Sequence, residues 1–304
     1  MTKRKLTKTL LDNGPFDNDA FSRLVYWIME RDSIRRKKES GMAQPWTGDL
    51  ILQRYRFCNV RREDDAVTRW VAANWRQPYG KDKDLWLAMV IARLFNLPST
   101  LSFIHNAMFA RKKVAWAADI MKQQLLHLRQ GSKGPIFNGA YIVSTNGRAM
   151  DKVEYLLQCV LLPMYADAER LRPTKHDTLA SFHARLMEYD GMGSFMAAQV
   201  VADLKNTTGQ VLANATDWQT WAASGPGSRR GMHRLFARDY TQSYREKVWY
   251  ADMQALLPLV NKATGMDLHA QDVQNCLCEF DKFSRVLFGE GTPKQMYKPK
   301  ELPW

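Results

Sequence analysis

The sequence predicts an all-α protein, a compact helical body with two lobes around a cleft. Three observations lead there. Apolar residues recur at spacings of three and four along several stretches. Strand-like alternation is scarce. The breaks between stretches are shorter than a flexible interdomain linker. A length of 304 residues allows one large domain or two modest ones. We read a single helical domain over residues 1–304, with lobes at 1–170 and 171–288 and an irregular tail at 289–304 that carries prolines and lysines.

The helical stretches follow in chain order. Residues 84–96 place Leu85, Met89, Ala92 and Phe95 on one face, and Pro98 closes the stretch. Residues 178–189 do the same with Leu179, Phe182, Leu186 and Tyr189, and residues 273–287 with Val273, Leu277, Phe280, Ser284 and Leu287. The best strand candidate, AYIVS at 140–144, reads as a short strand or an extended loop. Breaks fall at 131–139 (GSKGPIFNG), at 172–174 (RPT) and at 224–231 (SGPGSRRG).

Hydrophobic residues make up 45% and charged residues 25%, an ordinary composition for a globular chain that buries its own core. No apolar run approaches the roughly 18 residues a membrane helix needs. The start, MTKRKLTKTLLDNG, lacks the apolar stretch of a signal peptide. We therefore expect no membrane partner and a cytoplasmic location. The cysteines are Cys58, Cys159, Cys276 and Cys278. They exclude a disulfide scaffold. Cys276-Leu277-Cys278 lacks the gap of a zinc knuckle, and no His pair follows at ligand spacing, so these read as buried thiols and no metal is assigned.

The charge separates function classes. Lys and Arg number 44 against 31 Asp and Glu, a formal net charge of +13, with a pI of about 9.6. A pI above about 9 points to a nucleic-acid surface. The plainer alternative is a basic surface that only keeps the protein soluble.

Four segments carry chemistry. In LMEYDGMGSFMAAQVVADL (186–204) a helix runs into Asp190-Gly191-Met192-Gly193 and a second helix starts near Ser194. This is the sequence form of a helix-hairpin-helix. Its glycines turn the backbone sharply, and the new helix offers free N–H groups to a DNA phosphate. The candidate DNA contacts are Gly191, Met192, Gly193 and Ser194. Gln199 and Asp203 lie four apart on the second helix and share a face. Facing a cleft they would grip a base edge and act as acid or base; otherwise they are a solvated helix face. In SGPGSRRG, the glycines Gly225, Gly227 and Gly231 allow close backbone approach, and Arg229 and Arg230 suit phosphate or pyrophosphate. The alternative is a connecting loop whose arginines pair with local acids.

The third segment, RYRFCNVRREDDAVTRW (54–70), interleaves arginines with Tyr55, Phe57 and Trp70, as an extruded base and its flanking phosphates require. Asn59, Arg61 and Asp64 sit at a loop-to-helix start. The plain reading has Glu63, Asp64 and Asp65 charging a helix N-terminus. In the fourth, CLCEFDKFSR (276–285), Glu279 faces Lys282 at i+3 and Asp281 faces Arg285 at i+4. These are surface ion pairs of little consequence or the lining of an active site.

Taken in order, YRFCNVRREDD, IFNGAYIV, GMGSFMAAQVVADL, GPGSRRG and LCEFDKFSR resemble the phage alpha-glutamyl/putrescinyl-thymine pyrophosphorylase family over roughly residues 20–288. That family is similar to amino acid:DNA transferases and to the helical domain attached to 5-hydroxymethyluracil DNA kinases. The resemblance implies a helix-hairpin-helix, DNA-glycosylase-like helical fold. It implies an enzyme in which an amine displaces pyrophosphate from 5-pyrophosphorylmethyl-uracil in double-stranded DNA after base flipping. The donor is an amino acid such as glycine or glutamate, or putrescine, and the setting is a host-cell cytoplasm.

Within that resemblance, Tyr55 or Phe57 would stack on the base, and Asn59 and Gln199 would hold it. Arg229 and Arg230, with Arg61, would bind pyrophosphate. Asp64, Asp203 and Glu279 are the candidate bases for the amine. Lys282 or Arg285 would hold an amino-acid carboxylate. Mg2+ on pyrophosphate fits the chemistry, although no motif demands it. The sequence has no P-loop kinase motif, so it should not phosphorylate its own substrate. Two other readings are a base glycosylase using Asp203 or Asp217, and a noncatalytic DNA-binding module.

Overall fold

The computed structural model describes residues 12–110, 113–131, 134–139, 144–293 and 296–297. Most of the strand candidate at 140–144 and most of the tail lie outside the described residues.

In chain order the helices are α1 (Asn18–Glu39), α2 (Leu50–Arg54), α3 (Ala66–Val71), α4 (Leu85–Phe95), α5 (Pro98–Phe103), α6 (His105–Met108), α7 (Ala118–Gly131), α8 (Lys152–Tyr155), α9 (Leu162–Ala166), α10 (Ala168–Leu171), α11 (Leu179–Leu186), α12 (Ser194–Lys205), α13 (Pro226–Leu235), α14 (Glu246–Thr264) and α15 (Ala270–Leu287). Between α6 and α7 a two-residue antiparallel ribbon pairs β1 (Phe109–Ala110) with β2 (Lys113–Val114). The expected all-α class holds. Among the described residues no helix is long and apolar enough to cross a membrane.

The chain divides into two compact units. One takes the chain up to Arg62 and from Ser224 onward; the other is Glu63–Ala223. The division expected at 170/171 falls instead inside α10 of the second unit. Leu171 is fully buried there, and the Arg-Pro-Thr break is a local turn between α10 and α11, which pack together.

In the first unit, Asp17 caps α1 by accepting from the Ala20 N–H at 2.8 Å. Phe21, Leu24, Trp27 and Ile28 recur on its inner face and are fully buried. They meet α14 and α15, which contribute Trp249, Met253, Val273, Leu277 and Phe280 to the core. Each such side chain stabilises the fold by about 1.5–3 kcal/mol. The SGPGSRRG segment, expected as a break, is the N-cap and first turns of α13. Pro226 occupies the first turn and the Ser228 hydroxyl accepts from the Gly225 N–H. Its glycines serve packing. A Cβ on Gly231 would lie 2.3 Å from the Leu277 carbonyl oxygen, and one on Gly227 would lie 3.3 Å from Cys278. Four residues apart, they let α13 lie directly on α15.

In the second unit every residue of α4 is buried, the mark of a helix that is core on all sides. α12 crosses it. The charge inside that pair is matched: Arg93 of α4 donates from Nη2 and Nε to the two oxygens of Asp203, at 2.5 and 2.6 Å. α11 and α12 pack side by side, joined by the turn at 187–193.

Candidate functional site

In the first unit the functional candidates gather along α15. The segment 55–62 runs beside it and is fastened through its backbone. Asp272 accepts from the Arg62 N–H at 3.1 Å, and Asn275 donates to the Asn59 carbonyl at 3.0 Å. Glu279 accepts from the Cys58 N–H at 3.0 Å, and Lys282 donates to the Arg56 carbonyl at 2.9 Å. Steps of three and four bring these α15 residues onto one face. Lys282 also lies 2.5 Å from Glu279 and over the Phe57 ring. The expected i, i+3 pairing is therefore present, with an added task of holding a loop.

The other face of α15 meets α13, and Asp281 is the junction. Its carboxylate is 1% exposed. It accepts from Arg230 Nε at 2.8 Å and Arg234 Nε at 2.9 Å, and Arg285 Nε stands 3.6 Å away. Arg234 also donates to Glu290. Burial disfavours the Arg234 cation, but the two carboxylates outweigh it and its pKa rises. Between the two faces, the outer strip of α15 is partly exposed at Gln274, Cys278, Lys282 and Arg285. Desolvation raises both thiols of this helix: buried Cys276 well above its usual value, and the less enclosed Cys278 to about 12. Neither is poised as a nucleophile.

The structure thus brings Asn59, Glu279, Lys282, Arg285 and Arg230 to the flanks of one helix. It places several candidates elsewhere. Tyr55 and Phe57 are not open stacking platforms; both are buried, and Phe57 packs on Trp27 and Phe283. The apolar rings in this arginine-rich segment anchor it to the core. Arg61 is partly exposed and reaches the Asp267 carbonyl at 3.4 Å. Arg229 and Arg230 are consecutive on a helix and diverge: Arg229 donates to Ser224 and Glu246.

Asp64, Gln199, Asp203 and the glycine turn belong to the second unit. Asp64 pairs with Arg69 at 3.1 Å. Gln199 and Asp203 do share a face of α12, but an inward one: both are buried, Asp203 completely. Asp217 accepts from the Leu179 and Ala180 N–H groups and so caps α11. α11 ends at Leu186 and α12 starts at Ser194, where the second helix is expected. Gly191 has φ +73°, and a Cβ there would meet Val160 at 2.8 Å. A Cβ on Gly193 would meet nothing within 4 Å. Met192 is buried and anchors the turn, while Gly191, Gly193 and Ser194 reach the surface. Asp190 accepts from Asn146, Arg148 and the Tyr155 hydroxyl. Burial and this carboxylate push Tyr155 up to about 12. A cavity of about 520 Å³ opens beside the turn, lined by Asn146, Asp190, Gly193, Ser194 and Phe195.

Arg234 is a site residue that the sequence motifs do not single out, whereas Asp281 stands in the CLCEFDKFSR group. The signal was available: Arg230 and Arg234 stand at i, i+4 after a proline that starts a helix, and reading that helix puts both on the face that meets α15. Among the described residues no group of three or more His, Cys, Asp or Glu is arranged to hold a metal.

Comparisons with known proteins agree with the helical architecture. The family model for the helical domain of 5-hmdU DNA kinases matches residues 18–292. The 5-hmdU DNA kinase of Bacillus phage SP10 is 25% identical over 240 residues, covering 73% of this chain and 37% of that kinase. The chain therefore spans well under half the length of this curated relative. No solved structure matches it. With a fold built almost wholly of helices and a family match that runs nearly end to end, the chain belongs to the family of 5-hmdU DNA kinase helical domains.

Proposed function

We propose that this protein is a phage thymine-hypermodification enzyme that displaces pyrophosphate from 5-pyrophosphorylmethyl-uracil in DNA with an amine. The observation that carries the reading is the family itself: the matching relative is named for action on 5-hmdU DNA, whose pyrophosphate ester is the expected substrate. The amine nitrogen forms a bond to the base's methylene carbon while the carbon–oxygen bond to pyrophosphate breaks. The electron pair leaves with pyrophosphate, and the nitrogen gives up a proton to a base. Donors aimed at the leaving group lower the barrier.

The residues on and beside α15 support these roles. Arg230 and Arg285 are the cations for the leaving group. Glu279 is the candidate base that shares α15 with Arg285, and Lys282 beside it suits the carboxylate of an amino-acid donor. Asp203 drops out as a base, because it has no exposed atom and both oxygens are engaged by Arg93. That also counts against a glycosylase, since the other nominated acid, Asp217, caps α11. Gly193 and Ser194 are the proposed contacts to the DNA backbone, which position the duplex without reading its sequence. A magnesium ion accompanying pyrophosphate would be held mainly by phosphate and water oxygens.

The test supplies duplex DNA bearing pyrophosphorylmethyl-uracil with glycine, glutamate or putrescine. Mass spectrometry of the digested product should show an amine adduct, with pyrophosphate released only when the right amine is present. Glu279→Gln should keep DNA binding and lose the adduct. Abasic sites in place of adducts would move the assignment to base excision. Binding without product for any amine would leave a DNA-binding module.

A further inference from the structure

We infer that Asp281 is a positioning residue that turns Arg230 and Arg285 outward as a two-pronged site for a phosphate-type oxyanion, the leaving pyrophosphate of the proposed reaction. The guanidiniums differ in which edge they turn to Asp281. Arg230 approaches Asp281 through Nε, at 2.8 Å from Oδ2. Arg285 faces the same oxygen through Nε at 3.6 Å. Arg234 takes the other oxygen through Nε at 2.9 Å and spends its terminal nitrogens on Glu290. The terminal nitrogens of Arg230 and Arg285 have no protein partner among the described residues. Both side chains are about a third exposed, so those forks open to solvent.

The charge count points the same way. Three guanidiniums face two carboxylates, Asp281 and Glu290. The single negative charge of Asp281 is balanced by one cation, yet three guanidiniums collect around it. An arrangement that holds like charges around a single oxygen leaves an excess for a further anion. Two planar forks presented side by side suit an acceptor with several oxygens, which phosphate and pyrophosphate provide. Asp281 is fixed because α13 lies on α15 through Gly227 and Gly231, so the forks are set before the anion arrives.

The anion's identity as pyrophosphate rests on the proposed reaction, and the site does not. The full chain is titrated calorimetrically with inorganic pyrophosphate, with inorganic phosphate, glutamate and unmodified duplex DNA as parallel arms. Pyrophosphate should bind, and more tightly than phosphate or glutamate. Arg230→Gln and Arg285→Gln should each weaken it tenfold or more, and Arg285→Lys, which keeps the charge and loses the fork, should not restore it. Asp281→Asn should weaken it as much with both arginines still present, a loss that a purely structural role would not produce in a variant of native circular dichroism. If that variant fails to fold, Arg285→Gln decides, since Arg285 stands beyond hydrogen-bond length from Asp281. Exposed Arg129, paired with Asp151 in the second unit, serves as the control, and Arg129→Gln should leave binding unchanged. Unaltered pyrophosphate affinity in both arginine variants overturns the site, as does tighter binding of glutamate. If Arg285→Gln weakens duplex DNA and spares pyrophosphate, the leaving-group assignment is overturned. Pyrophosphate binding that needs these arginines, in a protein that transfers no amine, keeps the site and removes the reaction.

Discussion

Asp203 shows how much a side chain's surroundings decide what its chemistry is for. An aspartate four residues from a glutamine on an amphipathic helix reads as a site pair, but Arg93, inside an otherwise apolar helix, needs a buried counter-charge. A buried pair is costly to break from one side, because the remaining charge is left uncompensated. Asp203→Asn should therefore lower stability by about 3–5 kcal/mol in urea denaturation. Replacing both partners, Arg93→Met with Asp203→Leu, should cost less than Asp203→Asn alone, the residual cost falling on buried Arg76, 3.7 Å from Asp203. Asp177 makes a second residue-scale case. Burial alone would raise its pKa, but both oxygens bind Arg185, with help from Thr174 and Ser181, and the result is about 2. A depressed folded-state pKa means the stabilisation is full above the ordinary value of about 4 and is lost as pH falls toward 2. Thermal melts from pH 7 to 2.5 should show this acid limb, and Asp177→Asn should flatten it. Residue type did not reveal burial at Tyr55 and Phe57 either. Aromatic rings between arginines look alike whether they stack on a base or pin a loop, and for Phe57 the neighbours Trp27 and Phe283 settle which.

At the scale of elements, periodicity was a good guide wherever a helix has one apolar face. The predicted stretches at 84–96, 178–189 and 273–287 are α4 and α11, both a little shorter, and α15, which starts three residues earlier. It misled at GPGSRRG, where glycines that suggest a loop are the flat face of a helix. That difference has a test. Gly231→Ala puts a methyl 2.3 Å from a backbone oxygen of α15, and backbone cannot swing aside. It should cost about 1–3 kcal/mol or more by overpacking and weaken pyrophosphate binding with it. Gly193→Ala is the contrast. Its φ of −66° is ordinary and nothing lies within 4 Å, so the melting temperature should not move. If the turn approaches a DNA phosphate, the added methyl occupies that space and DNA affinity should fall. Unchanged affinity in Gly193→Ala would remove the turn from the DNA interface.

For the molecule as a whole, the sequence conveys charge more plainly than organisation. A unit assembled from residues before Arg62 and after Ser224 has no linear signature, because contacts between distant stretches leave no periodicity in either one. The net charge of +13 needs no fold to be read, yet it fits both a DNA surface and simple solubility. Salt separates these. Each phosphate neutralised by the protein contributes about −0.9 to the slope of log affinity against log salt. Six contacts would lower affinity by roughly a thousandfold between 50 and 200 mM, whereas a surface that only aids solubility gives no specific complex to weaken. We expect the steep slope on unmodified duplex in fluorescence anisotropy. Arg230→Gln and Arg285→Gln should leave that slope in place, since their forks are assigned to the leaving group and not to the duplex backbone. A slope that drops by about one unit with each substitution would instead count these arginines among the backbone contacts. The excess charge around Asp281 would then belong to the duplex, and the cation for pyrophosphate would have to be sought elsewhere on the chain.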